Sequence, residues 1–293
     1  MGKMAKFGKI SVVIPAFNEE QIIGRVIRDV IEVLASHKLF CEVIVVDDGS
    51  TDETSRVAAE AGAMVIRHPY NIGNGAAVKR GIRVATGDVI VMMDGDGQHN
   101  PNDIPRFLEH MPQYEMVVGA RTAESEGKVH RNLANRLYNS IASYIAGKKV
   151  DDLTSGFRAI NGRIAKSIAY LFPRGYSYPS TATIALFLGG YTVKYIPIKA
   201  AARVGKSKIK LLYDGMKFLF IIARVGTFYT PLRLFIPVGG LLFFPGFFYA
   251  IYKLIIGKPW TLPIVISLTG GLLIFVLGLI SEQIALLRLS RSE

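Results

Sequence analysis

Two long apolar segments near the carboxyl end restrict most strongly what this chain can fold into. They run from Leu232 to Gly257 and from Trp260 to Leu287 of a 293-residue chain. A helix that crosses a bilayer needs roughly 20 consecutive apolar residues, and each segment is long enough. A buried core helix of that length is the less favoured alternative. The sequence therefore predicts two transmembrane helices within residues 231–293, followed by a short cytoplasmic tail.

The net charge of +12 is concentrated beside these segments. Positive residues crowd the approach to the first one: Lys199, Arg203, Lys206, Lys208, Lys210, Lys217, Arg224 and Arg233. Because cytoplasmic loops are enriched in lysine and arginine, both ends of the hairpin are expected on the cytoplasmic side of the cell membrane. A nucleic-acid binder would instead interleave arginines with aromatic residues on an exposed face, so we predict the lipid bilayer as a partner and no nucleic acid.

The amino-terminal part has the composition of a cytoplasmic domain. The short basic stretch before Ile10 lacks the apolar core of a signal peptide. Cys41 is the single cysteine, which excludes an intrachain disulfide and a cysteine-rich zinc site. We therefore expect residues 1–208 to form one cytoplasmic domain.

Within that domain, short β-branched runs alternate with amphipathic stretches, which predicts an α/β fold with a mostly parallel sheet. The predicted strands are Ile10–Pro15, Glu42–Asp47, Met64–Arg67, Val89–Asp94 and Met116–Gly119. The predicted helices are Glu19–Ser36, Thr54–Ala61, Gly75–Ala85 and Ile104–His110. Two further stretches are amphipathic at helical spacing. Residues 131–146 could pack on the core or lie on the membrane, whereas residues 209–230 lead into the hairpin and are predicted to form an interfacial helix.

Polar residues follow three of the predicted strands, at Ile14–Glu19, Val46–Asp52 and Met93–His99. In open α/β sheets, ligands bind at the carboxyl ends of strands. Asp94, Asp96 and Gln98 alternate, so they can point to one side, and oxygen ligands suit Mg²⁺ or Mn²⁺ bridged to substrate phosphates. Phosphoryl transfer also uses acidic metal sites, but the chain has no phosphate-loop motif. The sequence therefore predicts a divalent-metal site after the fourth strand.

A glycine-rich run, Asn71–Ala77, opens the third predicted helix. Its backbone amides could meet a phosphate or ribose, and a plain turn is the simpler alternative. Val78 stands where a dinucleotide-binding fingerprint would need its third glycine.

Six motifs together resemble the family-2 glycosyltransferases: Pro15–Glu19, Asp47–Asp52, Asn71–Gly75, Asp94–Pro101, Gly119–Arg121 and Asp151–Arg158. Within that family, the chain is similar to the branch of dolichol-phosphate mannose synthases and polyprenyl-phosphate glycosyltransferases, over roughly residues 10–210. The resemblance implies a GT-A-type nucleotide-sugar-binding domain. Two positions depart from the branch pattern, since Asn74 replaces a lysine and the glutamate of mannose synthases is missing after Gly175-Tyr-Ser-Tyr.

The resemblance also implies residue roles. Donor-nucleotide contacts fall on Pro15, Ala16, Asn18, Glu19, Asp47, Asp48, Gly73, Asn74 and Asp94. Metal contacts fall on Asp94, Asp96 and Gln98, and phosphate contacts on Arg121, Arg131, Arg203, Lys206 and Lys208. Catalysis is assigned to Asp96, Arg121, Arg131 and Asp152, with Asp152 in the place of a general base.

The predicted activity is inverting, metal-dependent transfer of a hexose to dolichyl or polyprenyl phosphate, with mannose from GDP-mannose favoured. A phosphate monoester is mostly dianionic at neutral pH and needs no base, so Asp152 could orient rather than deprotonate. UDP-glucose or UDP-N-acetylglucosamine is the alternative donor. A non-catalytic membrane-tethered nucleotide-sugar-binding protein and a processive polysaccharide synthase are alternatives of other kinds. The sequence gives no expectation for the oligomeric state.

Overall fold

The computed structural model describes residues 7–122, 129–175, 178–201, 220 and 223–289, with only the backbone described for residues 129–137 and 288–289. Several sequence predictions fall elsewhere. Arg203, Lys206 and Lys208 lie outside the described residues, as does the side chain of Arg131. Most of the predicted interfacial helix also lies outside them, and its described end, residues 223–229, is helical and is named α8.

A mixed sheet forms the centre of the amino-terminal domain. Among the described residues it has seven strands in the order β3-β2-β1-β4-β6-β5-β7. Their bounds are β1 Ile10–Ala16, β2 Cys41–Asp47, β3 Met64–Arg67, β4 Val89–Met92, β5 Met116–Arg121, β6 Arg158–Asn161 and β7 Val193–Ile198. β6 runs antiparallel to β4 and β5, and the other neighbours pair in parallel. The predicted mostly parallel α/β sheet is therefore confirmed.

Helices cover both faces of this sheet. Their bounds are α1 Ile23–Ser36, α2 Thr54–Glu60, α3 Asn74–Val84, α4 Asp103–His110, α5 Val129–Ala146, α6 Gly162–Ile168 and α7 Tyr178–Leu188. Successive residues of a strand point to opposite faces. Val12 and Ile14 of β1 accordingly pack in one buried cluster, and Val13 packs in the other. The two apolar layers hold the sheet between the helices. Because β1 pairs in parallel with β2 and β4, the carboxyl ends of these three strands meet at one edge.

Two strand and helix ends differ from the predictions at that edge. β4 ends at Met92 rather than at Asp94, and a turn follows over Gly95 and Asp96. α1 begins at Ile23 rather than at Glu19, and the carbonyl of Glu19 accepts the amides of Ile22 and Ile23. Both differences lengthen the loops, which leaves polar residues at the strand ends available to shape the site.

The carboxyl-terminal segments form an antiparallel helical hairpin, α9 Pro231–Ile255 and α10 Leu262–Leu289. Each is long and apolar enough to cross a membrane, and only 17% of the residues in each apolar window are buried inside the protein. Close approach depends on glycine, because a Cβ on Gly271 would lie 2.8 Å from the carbonyl oxygen of Gly239. Glu282 of α10 also accepts the amide of Leu232 at 3.1 Å, near the start of α9.

Candidate active site

The ends of β1 and β2 hold each other through short polar side chains. The amide of Asn18 donates to Ser50 Oγ at 2.9 Å, and its Oδ1 accepts the amide of Thr51 at 2.9 Å. Asp47 is fully buried, and its carboxylate accepts the amide of Ser50 at 2.8 Å and the hydroxyl of Ser55. The two turns therefore form one rigid edge. Of the other residues predicted to bind the donor here, Pro15 and Ala16 end β1 and Glu19 follows Asn18.

Asp48 ties this edge to the glycine-rich loop. Its buried carboxylate accepts the amides of Ile72 at 3.0 Å and Gly73 at 2.7 Å, and it contacts His68 Nδ1 at 2.8 Å. Its own amide donates to the carbonyl of Ala16 at 2.9 Å. A carboxylate engaged by several donors shapes the loop rather than offering itself to solvent.

The amides at the start of α3 are used within the protein. Gly75 N–H donates to the carbonyl of Gly175 at 3.0 Å, and Ala76 N–H donates to that of Arg174 at 3.2 Å. The amides of Ile72, Gly73, Gly75 and Ala76 thus have acceptors within the protein. Asn74 Oδ1 is buried without a hydrogen-bond partner among the described residues.

The predicted metal residues lie in the turn after β4. Asp94 is 35% exposed at its side chain, whereas Asp96 is buried. Asp96 Oδ1 accepts the amide of Gln98 at 3.2 Å, and Gly97 has a φ of 74°, which permits this tight turn. Gln98 Nε2 donates to the carbonyl of Ala201 at 3.3 Å.

These residues fit a divalent metal that is shared with a substrate. No group of three or more His, Cys, Asp or Glu side chains within the described part of the chain could hold a metal alone. Mg²⁺ and Mn²⁺ are usually held by one or two carboxylates together with substrate phosphates and water. Asp94 and Asp96 would offer carboxylate oxygens, hard ligands of the kind such an ion takes, and the side chain of Asp94 is partly exposed.

Arg121, at the end of β5, and Asp152 form a two-pronged ion pair. Arg121 Nε lies 2.9 Å from Asp152 Oδ2, and Nη2 lies 3.0 Å from Oδ1. Asp152 Oδ1 also accepts the amides of Thr154 and Ser155. Burial would raise the pKa of Asp152, but the guanidinium and these amides hold it below its usual range. Asp152 is therefore ionised, and both of its oxygens are engaged by Arg121 and by neighbouring amides.

Arg158 is a buried cation that the sequence analysis left without a role. It is fully buried, and its guanidinium donates to the carbonyls of Ser155 and Pro179 and to Thr183 Oγ1. Burial lowers its pKa, while Tyr178, Tyr195 and the carboxylates of Asp152 and Asp94 oppose that effect. Its signal in the sequence is an arginine at the start of the short strand β6, directly before the apolar pair Ala159 and Ile160. His99 and Gly156, which contact Asp94, also had no assigned role.

A hydrogen-bonded path connects the Asp152 loop to the hairpin through α5. Asn139 Oδ1 accepts the amide of Leu153 at 3.0 Å, and its Nδ2 donates to the carbonyl of Asp151 at 2.7 Å. Apolar packing follows the same path, because Val225, six residues before α9, joins Ala142, Ile145, Leu153 and others in a third buried cluster, against which Leu234 of α9 packs. Arg233 of α9 donates to the carbonyl of Ile145 at 2.9 Å.

Comparison with known proteins gives matches over both parts of the chain. Residues 11–168 match glycosyl transferase family 2, and residues 230–287 match the GtrB C-terminal hairpin. An undecaprenyl-phosphate 4-deoxy-4-formamido-L-arabinose transferase of Pectobacterium carotovorum is 28% identical, over 94% of this chain and 88% of that protein. An uncharacterised protein of Methanocaldococcus jannaschii is 32% identical, over 72% of this chain and 90% of that protein.

Solved structures share the fold of the amino-terminal domain. Glucosyl-3-phosphoglycerate synthase of Mycobacterium tuberculosis, in complex with Mn²⁺ and uridine-diphosphate-glucose, superposes with a TM-score of 0.60 at 25% identity. The match covers 74% of this chain and 78% of that one. The same enzyme with Mn²⁺, UDP-glucose and phosphoglyceric acid gives a TM-score of 0.62 at 24% identity, over 74% and 79% of the two chains.

The predicted family and the predicted GT-A-type fold are confirmed by these matches. The apolar hairpin indicates that the protein associates with a membrane. With more than half of its length matched to the catalytic domain, the chain is a glycosyltransferase that belongs to glycosyl transferase family 2, in the branch that ends in a GtrB-type hairpin.

Proposed function

We propose that this protein transfers a sugar from a nucleotide-diphosphate donor to a polyprenyl or dolichyl phosphate, with inversion at the anomeric carbon. The observation that carries the proposal is the path from Asp152 through Asn139 of α5 to Arg233 of the hairpin. It places the acidic site on a domain that is packed onto the membrane helices. A long-chain lipid phosphate is the acceptor that such a placement suits. The Pectobacterium relative, which is named for transfer to undecaprenyl phosphate, supports the same acceptor class.

The donor would lie along the carboxyl edge of the sheet, between the β1 and β2 turns and the turn after β4. Asp94 and Asp96 would hold Mg²⁺ or Mn²⁺, which would supply positive charge beside the donor diphosphate. Gln98 is the third predicted contact. The solved neighbour with Mn²⁺ and UDP-glucose supports a divalent metal in this fold.

The acceptor phosphate would act as the nucleophile without a general base, because it is mostly dianionic at neutral pH. Arg121, oriented by Asp152, would offset the repulsion between the acceptor and the donor phosphates. Arg131, Arg203, Lys206 and Lys208 are proposed to add positive charge on the side of the membrane. The catalytic domain is proposed to face the cytoplasm, as the charge beside the hairpin predicts.

The sugar and base are the finer part of the proposal. GDP-mannose stays the sequence prediction, although the missing glutamate after Gly175-Tyr-Ser-Tyr weakens it. UDP-glucose gains support from the solved neighbour that binds it. The relatives named for a formamido-arabinose show that members of this branch use more than hexoses.

One assay tests the function and the donor together. Full-length protein in detergent is given undecaprenyl phosphate and labelled GDP-mannose, UDP-glucose or UDP-N-acetylglucosamine, with Mg²⁺ or Mn²⁺, and lipid-extractable label is measured. Label in the lipid fraction with one donor, lost in chelator, is the expected result. Free sugar or polymer without labelled lipid would contradict the proposal.

A further inference from the structure

We infer that the segment Asp152–Arg158 is a positioning device for the metal carboxylate of Asp94, and that His99 and Gly156 are the residues that fix it. The inference rests on the proposed metal-dependent function and adds residues to it. It concerns how the carboxylate is held before any ion or donor arrives.

The evidence is the confinement of one oxygen of Asp94. His99 Nε2 lies 3.4 Å from Asp94 Oδ2, and a carboxylate oxygen can only accept, so the imidazole donates. On another side, Gly156 presents a bare Cα, and a Cβ built there would lie 2.7 Å from the same oxygen. Tyr178 donates to the carbonyl of Gly156 at 3.2 Å, which holds that residue in place. Oδ2 thus contacts a donor, and it lies so near the Gly156 backbone that any side chain at that position would displace it.

His99 is itself fixed by the segment that carries Gly156. Its ring packs against Phe157 with centroids 4.9 Å apart and tilted planes, and Phe157 packs in turn against Phe107 with centroids 4.7 Å apart. Phe157 and Phe107 are fully buried members of the main core cluster. The side chain of His99 is 6% exposed, and its Nδ1 has no hydrogen-bond partner among the described residues. The ring is therefore positioned by packing against Phe157, and its Nε2 is the nitrogen directed at the carboxylate.

The segment is anchored at both ends by buried charges. Asp152 accepts the amides of Thr154 and Ser155 at 3.0 and 3.1 Å. From the other end, the buried guanidinium of Arg158 donates to the carbonyl of Ser155 through two nitrogens. Ser155 is thereby held at its amide and its carbonyl, directly before Gly156. Buried and engaged anchors of this kind give the backbone at Gly156 little freedom to move away from Asp94.

Such a device has a clear benefit for a partly exposed carboxylate. A metal ligand that must stop rotating when the ion binds loses side-chain entropy, and a ligand already fixed does not. Groups that orient metal ligands commonly change metal affinity by roughly 10- to 100-fold when they are removed. Substitutions at His99 and Gly156 should therefore weaken metal binding itself, which can be measured without the transfer reaction.

The test measures Mn²⁺ binding to the full chain in detergent by the loss of the free-ion electron paramagnetic resonance signal, with UDP present and separately with GDP. His99→Phe keeps an aromatic ring against Phe157 and removes the donor, and it should raise the Mn²⁺ Kd by roughly 10-fold or more. His99→Gln restores an N–H donor and should recover most of that loss. Gly156→Ala removes no donor but crowds Asp94 Oδ2, and it should also raise the Kd.

Gly8→Ala is the matched control. A Cβ there would lie 2.9 Å from Oδ2 of Asp88, a comparable steric conflict with a carboxylate before β4, at the opposite end of the strand. Its Mn²⁺ Kd should equal that of the unmodified chain, and thermal melting by circular dichroism confirms that each variant is folded.

Two results overturn the inference. One is an unchanged Mn²⁺ Kd in folded His99→Phe, and the other is a Gly156→Ala variant that binds Mn²⁺ like Gly8→Ala. If His99→Phe does not fold, Gly156→Ala against Gly8→Ala decides alone. An unmodified chain that binds no Mn²⁺ with either nucleotide would instead refute the metal dependence in the proposed function, so the two failures are distinguishable.

Discussion

The ion pair between Arg121 and Asp152 offers the most direct test of how the site is organised. Arg121 is 24% exposed and Asp152 is 9% exposed at the side chain, so each charge depends on the other. Removing one partner of a buried pair costs about 3–5 kcal/mol, because it leaves the other charge uncompensated. Since water reaches part of Arg121, we expect the lower end for Asp152→Ala, about 3 kcal/mol.

The double variant measures the coupling energy between Arg121 and Asp152. Arg121→Met keeps the apolar stem of the side chain and removes the charge. If the pair acts as a unit, Arg121→Met with Asp152→Ala should cost about as much as either change alone, and the coupling energy should be about 2–3 kcal/mol. For a domain of this size, each single variant should melt about 6–12 °C below the unmodified chain.

The assay is thermal melting of the full chain in detergent by circular dichroism, paired with kcat for transfer to lipid phosphate. If Asp152 serves to orient Arg121, then Asp152→Ala should not lower kcat further in the Arg121→Met background. Losses in stability that add within about 0.5 kcal/mol would refute the coupling. A further large loss of kcat in that background would show that Asp152 acts on a proton instead.

Three further outcomes follow from other contacts. Asp96→Ala should abolish transfer with Mg²⁺ or Mn²⁺ while the chain still folds, as circular dichroism checks; activity equal to the unmodified chain, or activity that persists in chelator, would exclude the metal role. Burial would raise the pKa of Glu42, but Lys9 and nearby hydroxyl and amide donors hold it at about 2. This carboxylate should therefore contribute about 2–3 kcal/mol above pH 4.5 and lose that contribution as the pH falls toward 2, so melting curves of Glu42→Gln and the unmodified chain should converge in acid. A constant difference across that range would contradict the shift. Arg233→Gln removes the contact to the carbonyl of Ile145, and it should raise the KM for lipid phosphate more than the KM for nucleotide sugar; equal changes in both would show that the contact does not align the site with the membrane.

Local patterns in the sequence were sufficient to predict the membrane hairpin, three strands of the sheet and the acidic turn after β4. The hairpin followed from two apolar runs, because a spanning helix satisfies its own backbone and needs only length and hydropathy. Strands β1, β2 and β4 followed from unbroken runs of buried β-branched residues, and the acidic turn after β4 followed from its position at a strand end. The family resemblance rested on short motifs in these same turns.

Other elements lacked such a pattern. The four residues of β6 begin with a buried arginine and end with asparagine, and β7 contains a lysine and a proline. α7 is buried over nearly its whole length, so it has no polar face to mark helical spacing. Each of these elements is fixed by what it packs against, which a single sequence does not reveal.

The sequence by itself determined the class of domain, the membrane hairpin and the acidic residues at the strand ends. Tertiary structure alone decided which other residues contact and position these acidic side chains. β6 inserts antiparallel between β4 and β5, and the segment leading into it brings Gly156 and Phe157 against Asp94 and His99. These contacts join residues about 60 positions apart in the chain, and they exist only because the two strands pair. Local spacing can place a carboxylate at a strand end, but the neighbours that hold it are chosen by long-range strand pairing.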